Sequence, residues 1–196
     1  ESGVRLNYRS KNTHWELNFL ILNGWQRIQR LKNNHMPSFG TQVIYNTSRI
    51  TFNSSNYFGN EGTDQLPVWR YYQNFYLITT LASKSKLITG VDVGLQHNSA
   101  KSKLIYWWSP QLIYQYQCTK SYNVAGRIEY FYDKNGAITS PLNHTALNVI
   151  GLSVNVDYKI INNVFFRIEF KELNNNDPIF MKKKTLSRYN SSATAA

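Results

Sequence analysis

The sequence has few cysteines, few charged residues and no long apolar run, and each shortage excludes a class of protein. The single cysteine, Cys118, excludes a fold held together by internal disulfides. Charged residues make up only 17% of the 196 residues, below the roughly 25% of an ordinary soluble domain. No apolar run approaches the roughly 20 residues that a transmembrane helix needs, which excludes a helical membrane protein.

Motifs that carry catalysis or metal binding are also missing. The sequence contains no GxSxG nucleophile motif. The histidines are isolated and lack metal-ligand spacing: His14, His35, His97 and His144. We therefore expect a protein that is not an enzyme and that uses neither a metal nor a cofactor.

Aromatic and basic residues, by contrast, are abundant. The chain has 14 Tyr, 10 Phe and 5 Trp, and its formal net charge is +11. Many aromatics and few charges suit a surface that faces something other than water. An excess of basic residues indicates binding to nucleic acid, binding to anionic lipid, or a cavity that attracts anions. Nucleic acid is the weakest of these, because the basic residues are spread over strands and loops without a stacking platform.

Apolar and polar side chains alternate along most of the chain, which is typical of β-strands with two different faces. In the segment 122–133, Tyr122, Val124 and Ile128 share one face, and Arg127 and Glu129 share the other. The pattern recurs over 4–9, 15–21, 69–81, 91–96, 104–117, 150–160 and 164–171, and more weakly over 39–46 and 49–58. It predicts about ten strands, with an eleventh beginning near Leu186, and several reach the about 9–11 residues of a membrane strand.

Short and long connections are expected to alternate between these strands. Short turns are predicted around Asn12, 47–48, 83–85, 119–120 and 162–163, and longer links at 23–37, 59–68, 97–103, 133–145 and 174–184. Within the first long link, 25–34 is compatible with a short helix, but a polar outer loop is the favoured interpretation. Short periplasmic turns and longer outer loops characterise outer-membrane barrels.

These patterns predict an all-β protein, an antiparallel up-and-down transmembrane β-barrel of which about 10–11 strands are visible. Backbone polar groups in lipid must all be paired, so strands can span a membrane only as a closed barrel. We expect residues 1–196 to form a single β-barrel domain that is truncated at both ends, because the chain begins without Met and its last strand stops early. The expected location is a bacterial outer membrane.

Two sets of candidate functional residues follow from this fold. The pore-lining set comprises Arg5, Arg9, Glu16, Arg70, Asp92, Gln96, Gln111, Arg127, Glu129, Asp157, Arg167 and Glu169. The interfacial aromatic set lies toward strand ends, where amphipathic rings meet lipid headgroups, and comprises Trp69, Tyr71, Tyr106, Trp108, Tyr122, Tyr130, Tyr132 and Tyr158.

Two interpretations of the charged residues stay open. They could form an ion-selective constriction, for which the basic excess favours anions. Alternatively, Arg127–Glu129 and Arg167–Glu169 could pair across neighbouring strands and only fill the interior. Lysines in the long links are expected either to attract lipopolysaccharide phosphates or to be solvated. These lysines are Lys101, Lys103 and Lys182 to Lys184.

Several segments resemble, in order, the OmpL-like β-barrel porins of the porin-2 type found in Bacteroidetes. They are ESGVRLNYRSKNTHWELNFLILNGWQRIQR at the start, NSSNYFGNE (53–61), WRYYQNFY (69–76), YWWSPQLIYQY (106–116), AGRIEYFYDKNGAI (125–138) and LSVNVDYKIINNVFFRIEFKELNNNDPIF (152–180). The resemblance covers most of the chain and corresponds to the C-terminal part of such a protein. One departure is the ending RYNSSATAA, which lacks the terminal aromatic used in barrel assembly.

The resemblance implies an outer-membrane location, lipid and lipopolysaccharide as surroundings, and a porin-like passage for small solutes. Two alternatives remain: a structural, non-conducting outer-membrane barrel, and a soluble secreted β-barrel or sandwich that binds a ligand. Neither the solute nor the oligomeric state follows from the sequence.

Overall fold

A computed structural model describes residues 2–98, 103–139, 147–182 and 185–195. Strands dominate these residues, as the alternation of side chains predicts. Within the same ranges no helix is long and apolar enough to span a membrane. His144, Lys101, Lys183 and Lys184, which were singled out above, lie outside the described residues.

The main sheet contains eleven strands in the order β1-β2-β3-β4-β5-β6-β7-β8-β9-β10-β13, so nearly every strand pairs with its sequence neighbours. Each pairing whose register is resolved is antiparallel. This is the predicted up-and-down order. The strands are β1 (Gly3–Arg9), β2 (Trp15–Leu22), β3 (Ser38–Asn46), β4 (Ile50–Asn60), β5 (Val68–Ala82), β6 (Ser85–Asn98), β7 (Lys103–Gln117), β8 (Tyr122–Asp133), β9 (Leu147–Ile161), β10 (Val164–Asn175), β11 (Phe180–Lys182), β12 (Thr185–Ser187) and β13 (Tyr189–Ala195).

The two faces of the strands have the reverse of a soluble protein's polarity. Along β2, Leu17 is 41% exposed while its neighbour Asn18 is 4% exposed, and along β9 Val154 is 51% exposed while Ser153 is 7% exposed. We call the positions that carry Leu17 and Val154 the apolar face, and those that carry Asn18 and Ser153 the polar face. Water cannot drive this arrangement, because it leaves apolar surface uncovered and buries polar groups. A hydrocarbon surrounding the apolar face accounts for both.

The connections follow the predicted alternation of short and long. The chain turns over 10–14, 47–49, 83–84, 118–121 and 162–163, and longer links occupy 23–37, 61–67 and the stretch between β10 and β13. After β8 a further link begins at Lys134, and residues 140–146 lie outside the described part of the chain. The first long link is built of turns and bends rather than helix. At the predicted link 97–103, β6 extends to Asn98 and β7 begins at Lys103, and residues 99–102 lie outside the described part of the chain.

The last long link differs from the prediction. It contains a small hairpin, in which Phe180 of β11 pairs with Ser187 of β12. The eleventh strand of the main sheet, β13, therefore begins at Tyr189 rather than near Leu186, and it pairs with β10. Three-residue strands are too short to show a two-residue period, so the alternation did not distinguish them from loop.

The residues group into two compact units. Unit 1 comprises Glu1–Leu77 and Val91–Trp108, and unit 2 comprises Ile78–Gly90 and Ser109–Ala196. The single domain predicted over 1–196 stays a prediction. Each unit carries its own polar face, and these two surfaces hold the candidate pore-lining residues.

Candidate pore-lining site

A row of amide side chains crosses the polar face of unit 1. Each of the first six strands contributes one side chain, and each of the first five, all amides, donates a hydrogen bond to the side chain on the next strand. The donor–acceptor distances are Asn7 to Asn18 2.7 Å, Asn18 to Gln42 3.1 Å, Gln42 to Asn53 2.9 Å, Asn53 to Asn74 3.0 Å and Asn74 to Asp92 2.7 Å. We call this row the amide ladder. It satisfies polar groups that burial would otherwise leave without partners, such as the fully buried Asn53.

The direction of the amide ladder is set at its end. The carboxylate of Asp92 only accepts hydrogen bonds, so Asn74 must turn its NH₂ group toward Asp92 and its carbonyl toward Asn53. The same constraint passes back along the row to Asn7. Tyr72 donates a second hydrogen bond to Asp92 at 2.5 Å. Asp92 therefore acts as the acceptor that orients the row, in addition to being a charged side chain on the polar face.

Arg70 of the predicted pore-lining set lies in an aromatic cluster on the same face. Its guanidinium carbon is 5.5 Å from the ring centroid of Trp25 and 5.7 Å from that of Trp107, within the range of cation–π attraction. The guanidinium also donates two hydrogen bonds to the side-chain oxygen of Gln96. Trp107 can lie flat because Gly94 faces it, and a Cβ at that glycine would be 1.9 Å from the indole.

The long link 23–37 folds onto this face. Trp25 makes edge-to-face contacts with Tyr57 and Tyr72, with ring centroids 5.1 and 4.8 Å apart. Glu61 in the next link accepts a hydrogen bond from the Trp25 backbone N–H at 3.0 Å and forms an ion pair with Arg27 at 3.4 Å. The favoured interpretation as a loop is correct, but its tryptophan is part of the packed polar face.

A second contact joins the same two links. The Asp64 carboxylate accepts hydrogen bonds from the His35 backbone N–H at 3.1 Å and from its ring Nδ1 at 2.5 Å. The His35 side-chain hydrogen bond, and after it the backbone one, holds the pKa of the Asp64 carboxyl below its ordinary value. The negative form of Asp64 therefore favours this tether between the links.

A lattice of paired charges occupies the polar face of unit 2. Arg167 of β10 binds Asp157 of β9 in a two-pronged pair, Nε to Oδ1 at 2.5 Å and an η nitrogen to Oδ2 at 2.7 Å. Arg127 of β8 contacts Glu169 at 3.1 Å across the intervening strand β9, and Glu129 on its own strand at 3.5 Å. Lys171 completes the group by contacting Glu129 at 2.6 Å.

The six charged side chains of this lattice are three acids and three bases, so the lattice is formally neutral. This agrees with pairing of the charges. The expected contact of Arg127 with Glu129 is present, although it lies within one strand, whereas Arg167 binds Asp157 rather than the expected Glu169. The remaining predicted residue of unit 2, Gln111, lies half-buried on β7. Sequence spacing identified the face and the contact within β8, but not the contacts between strands, because those depend on register.

The other predicted pore-lining residues belong to unit 1. Arg9 and Glu16 form an ion pair at 3.0 Å between β1 and β2, and Glu16 also accepts a hydrogen bond from Asn7 at 3.0 Å. Arg5 lies on the exposed strand β1, at the edge of the sheet. The structure therefore places each member of the set on a polar face, while their role in lining a pore stays a prediction.

The predicted interfacial aromatics all occupy apolar-face positions. Trp69, near the start of β5, stacks on Phe58 with ring centroids 5.2 Å apart and an interplanar angle of 8°. Tyr122, at the start of β8, stacks on Tyr158 at 4.8 Å. The rest of the set lies along strands β5, β7 and β8: Tyr71, Tyr106, Trp108, Tyr130 and Tyr132. Contact with lipid headgroups stays a prediction for all of them.

Sequence reasoning missed most of the amide ladder and the aromatic cluster. The ladder residues Gln42 and Asn53 lie in the segments of weak contrast, where the apolar face itself carries polar residues such as Ser54 and Asn56. Neutral amides are weaker candidates for a pore lining than charged residues. Their spacing at every second position nevertheless predicts that they lie on the polar face. Trp25 and Trp107 could not be assigned to the polar face, since indole rings are ordinarily counted with the apolar set.

Comparison with known proteins agrees with this arrangement. The whole chain, residues 1–196, matches the family described as "Putative beta-barrel porin-2, OmpL-like". No curated protein and no solved structure matches it. With exposed apolar faces, polar faces filled by hydrogen bonds and ion pairs, and a full-length family match, the chain belongs to this OmpL-like family of outer-membrane β-barrel porins.

Proposed function

We propose that the protein is a passive channel, and not an enzyme, that lets small solutes cross the outer membrane and prefers anions. The anion preference rests on one observation: on the polar faces, acids are paired with bases more completely than bases are paired with acids. Four acids of the predicted pore-lining set, Glu16, Glu129, Asp157 and Glu169, form ion pairs with a base, while Asp92 accepts hydrogen bonds from an amide and a hydroxyl group. An acid whose charge is balanced by a base contributes little to the potential along a channel.

Several bases on the same faces have no such neutralising partner. Lys159 shares its face with Asp157 in β9, Lys86 shares its face with Asp92 in β6, and Arg5 lies on β1. None of the three contacts a carboxylate among the residues that the structure describes. A wet cavity with unpaired positive charge raises the local concentration of anions.

Reversal potentials in planar lipid bilayers test the proposal. Under a KCl gradient, the reconstituted protein should conduct, with a reversal potential of the sign that chloride preference requires. Replacing Lys159 and Lys86 together by Gln should lower the chloride-to-potassium permeability ratio by about twofold or more. Lys120→Gln is the matched control, because it removes the same charge from the turn 118–121.

Two outcomes would contradict the proposal in different ways. Absence of conductance from correctly folded protein favours a structural barrel with a blocked interior. Stable monodisperse protein in buffer without detergent favours a soluble ligand-binding protein, since the exposed apolar faces should otherwise demand detergent.

We also propose lipid and lipopolysaccharide as partners of the apolar faces and of the lysines in the long links. Lys182 in the hairpin of β11 and β12 is exposed, as is Lys103 at the start of β7. Both present an ammonium group that phosphate attracts. Replacing both by Gln should weaken binding of purified lipopolysaccharide at low salt, whereas unchanged binding would remove these lysines from the proposal.

A further inference from the structure

A small cavity lies between the link 23–37 and the polar face of unit 1. Its volume is about 230 Å³, below the roughly 300–1,000 Å³ of sites for drug-sized ligands. Trp25, Tyr57 and Tyr72 contribute aromatic rings, Leu20 and Leu22 contribute apolar surface, and Gln42 contributes an amide. The cavity therefore suits a single ring of a ligand rather than an extended molecule.

The aromatic walls have a geometry that limits the shape of that ring. Trp25 is inclined by 75° to Tyr57 and by 71° to Tyr72. Such rings form a cup, whereas a flat base or aromatic ligand stacks best in a slot of parallel planes. A puckered ring with C–H groups on its faces fits a cup, because its different sides can contact rings of different orientation.

The polar part of the cavity wall indicates a neutral ligand with hydroxyl groups. No Lys, Arg, Asp or Glu is among the described residues that line the cavity. Gln42 uses one N–H toward Asn53 and one carbonyl lone pair toward Asn18. An amide has two N–H groups and two lone pairs, so one of each is left for a ligand. Ser55, which also lines the cavity, accepts a hydrogen bond from Asn53 at 3.0 Å and donates one to Asn74 at 3.5 Å, so one lone pair of its hydroxyl is left to accept from a ligand.

We propose that this cavity binds one pyranose ring of a neutral sugar, which the aromatic cup holds by its C–H faces and Gln42 and Ser55 hold by its hydroxyl groups. The inference deepens the proposed channel function by naming a solute class, and it rests on that function for the route by which the sugar arrives. A purely apolar ring would cover the remaining N–H and lone pair of Gln42 and the remaining lone pair of Ser55 without satisfying them, which costs affinity.

Saturation-transfer NMR on the protein folded in detergent tests the inference without requiring conduction. The probes are methyl α-glucopyranoside and sorbitol, which carries similar hydroxyl groups but has no ring. The glucoside should bind with a dissociation constant on the order of 1 mM, with the strongest transfer to its ring C–H protons, and sorbitol should bind at least about tenfold more weakly. Equal transfer to both probes, or none to either, would overturn the inference.

Substitutions locate the binding. Trp25→Leu should weaken glucoside binding about tenfold, since it keeps an apolar side chain but removes the ring. Trp69→Leu, on the apolar face of unit 1, is the matched control and should leave binding unchanged. If Trp25→Leu fails to fold, Ser55→Ala should weaken binding about threefold through the lost hydroxyl. Unchanged binding in the folded variant overturns the assignment to this cavity.

The binding and bilayer measurements separate the two proposals. Anion-preferring conductance without glucoside binding would overturn this inference and leave the channel intact. Glucoside binding without conductance would support the cavity and overturn the channel.

Discussion

The polar faces of units 1 and 2 meet the same physical requirement with different chemistry. Both are built from alternate positions of antiparallel strands, and both must satisfy polar side chains that lie partly out of water. Unit 1 does so mainly with a row of neutral amides that donate in one direction and end on the carboxylate of Asp92. Unit 2 does so with a lattice of paired charges, of which Arg167 and Asp157 form the closest pair.

The two polar faces should differ in how much stability is lost when one side chain is replaced. In an amide row, each side chain satisfies two neighbours, so a break at the centre leaves a donor on one side and an acceptor on the other. In a lattice of charges, a lost partner leaves a group that water or a second counter-ion can reach. The cost then depends on how exposed the remaining charge is.

The largest expected effect is a break at the centre of the amide ladder. Asn53→Leu should lower the free energy of unfolding by about 3 kcal/mol, because Gln42 loses its acceptor and Asn74 loses its donor in a buried setting. Urea unfolding of the protein in detergent or liposomes measures this. The control is Asn7→Leu, the same substitution at the exposed end of the row, which should cost less than about 1 kcal/mol. Equal costs would mean that the row has no cooperative character.

An intermediate loss of stability is expected when the closest ion pair of unit 2 is broken. The loss should be larger when the arginine is replaced than when the aspartate is replaced. The Asp157 side chain is 12% exposed and the Arg167 side chain is 57% exposed. Arg167→Met should therefore cost about 2 kcal/mol, since it leaves a nearly buried carboxylate, whereas Asp157→Asn leaves a guanidinium that water can solvate and should cost about half as much. Urea unfolding of the two variants measures both costs. The reverse order would show that the arginine, and not the carboxylate, depends on the pair.

The smallest effect concerns the tether of the two long links in unit 1. The pKa of Asp64 is lowered in the folded protein, so its contribution to stability is fully present above the ordinary carboxyl pKa and is lost as the pH falls through the lowered value. A ¹³C NMR titration of the Asp64 carboxyl should show a midpoint below the ordinary one. In His35→Ala the midpoint should return toward it. An identical midpoint in both proteins would assign the shift to another cause.

Much of the fold could be read from the sequence because a two-residue period is a local property. The segments 122–133, 150–160 and 164–171 alternate cleanly, and the structure gives strands over nearly the same ranges. The short turns were predictable for the same reason, since each lies where one alternating run stops and the next begins. The hairpin of β11 and β12 was not, because three residues are too few to establish a period.

The sequence predicted which strand face carries the candidate site, but not the ion pairs that form between strands. Arg127, Glu129 and Glu169 were assigned to the polar side by parity alone. That Arg127 reaches Glu169 across β9 depends on the register of three strands and on the small Ser153 between them. The amide ladder depends on the relative registers of six strands, which no single segment reveals.

By itself, the sequence determined which side chains share a strand face and that the apolar face is the exposed one, because alternation and composition are carried by neighbouring residues. Only the tertiary structure decided that Trp25 folds onto the polar face, that the amides of unit 1 form one directed row, and that the charges of unit 2 cancel. Those features join residues far apart in the chain, and hydrogen bonds and ion pairs form only where distances fall near 3 Å.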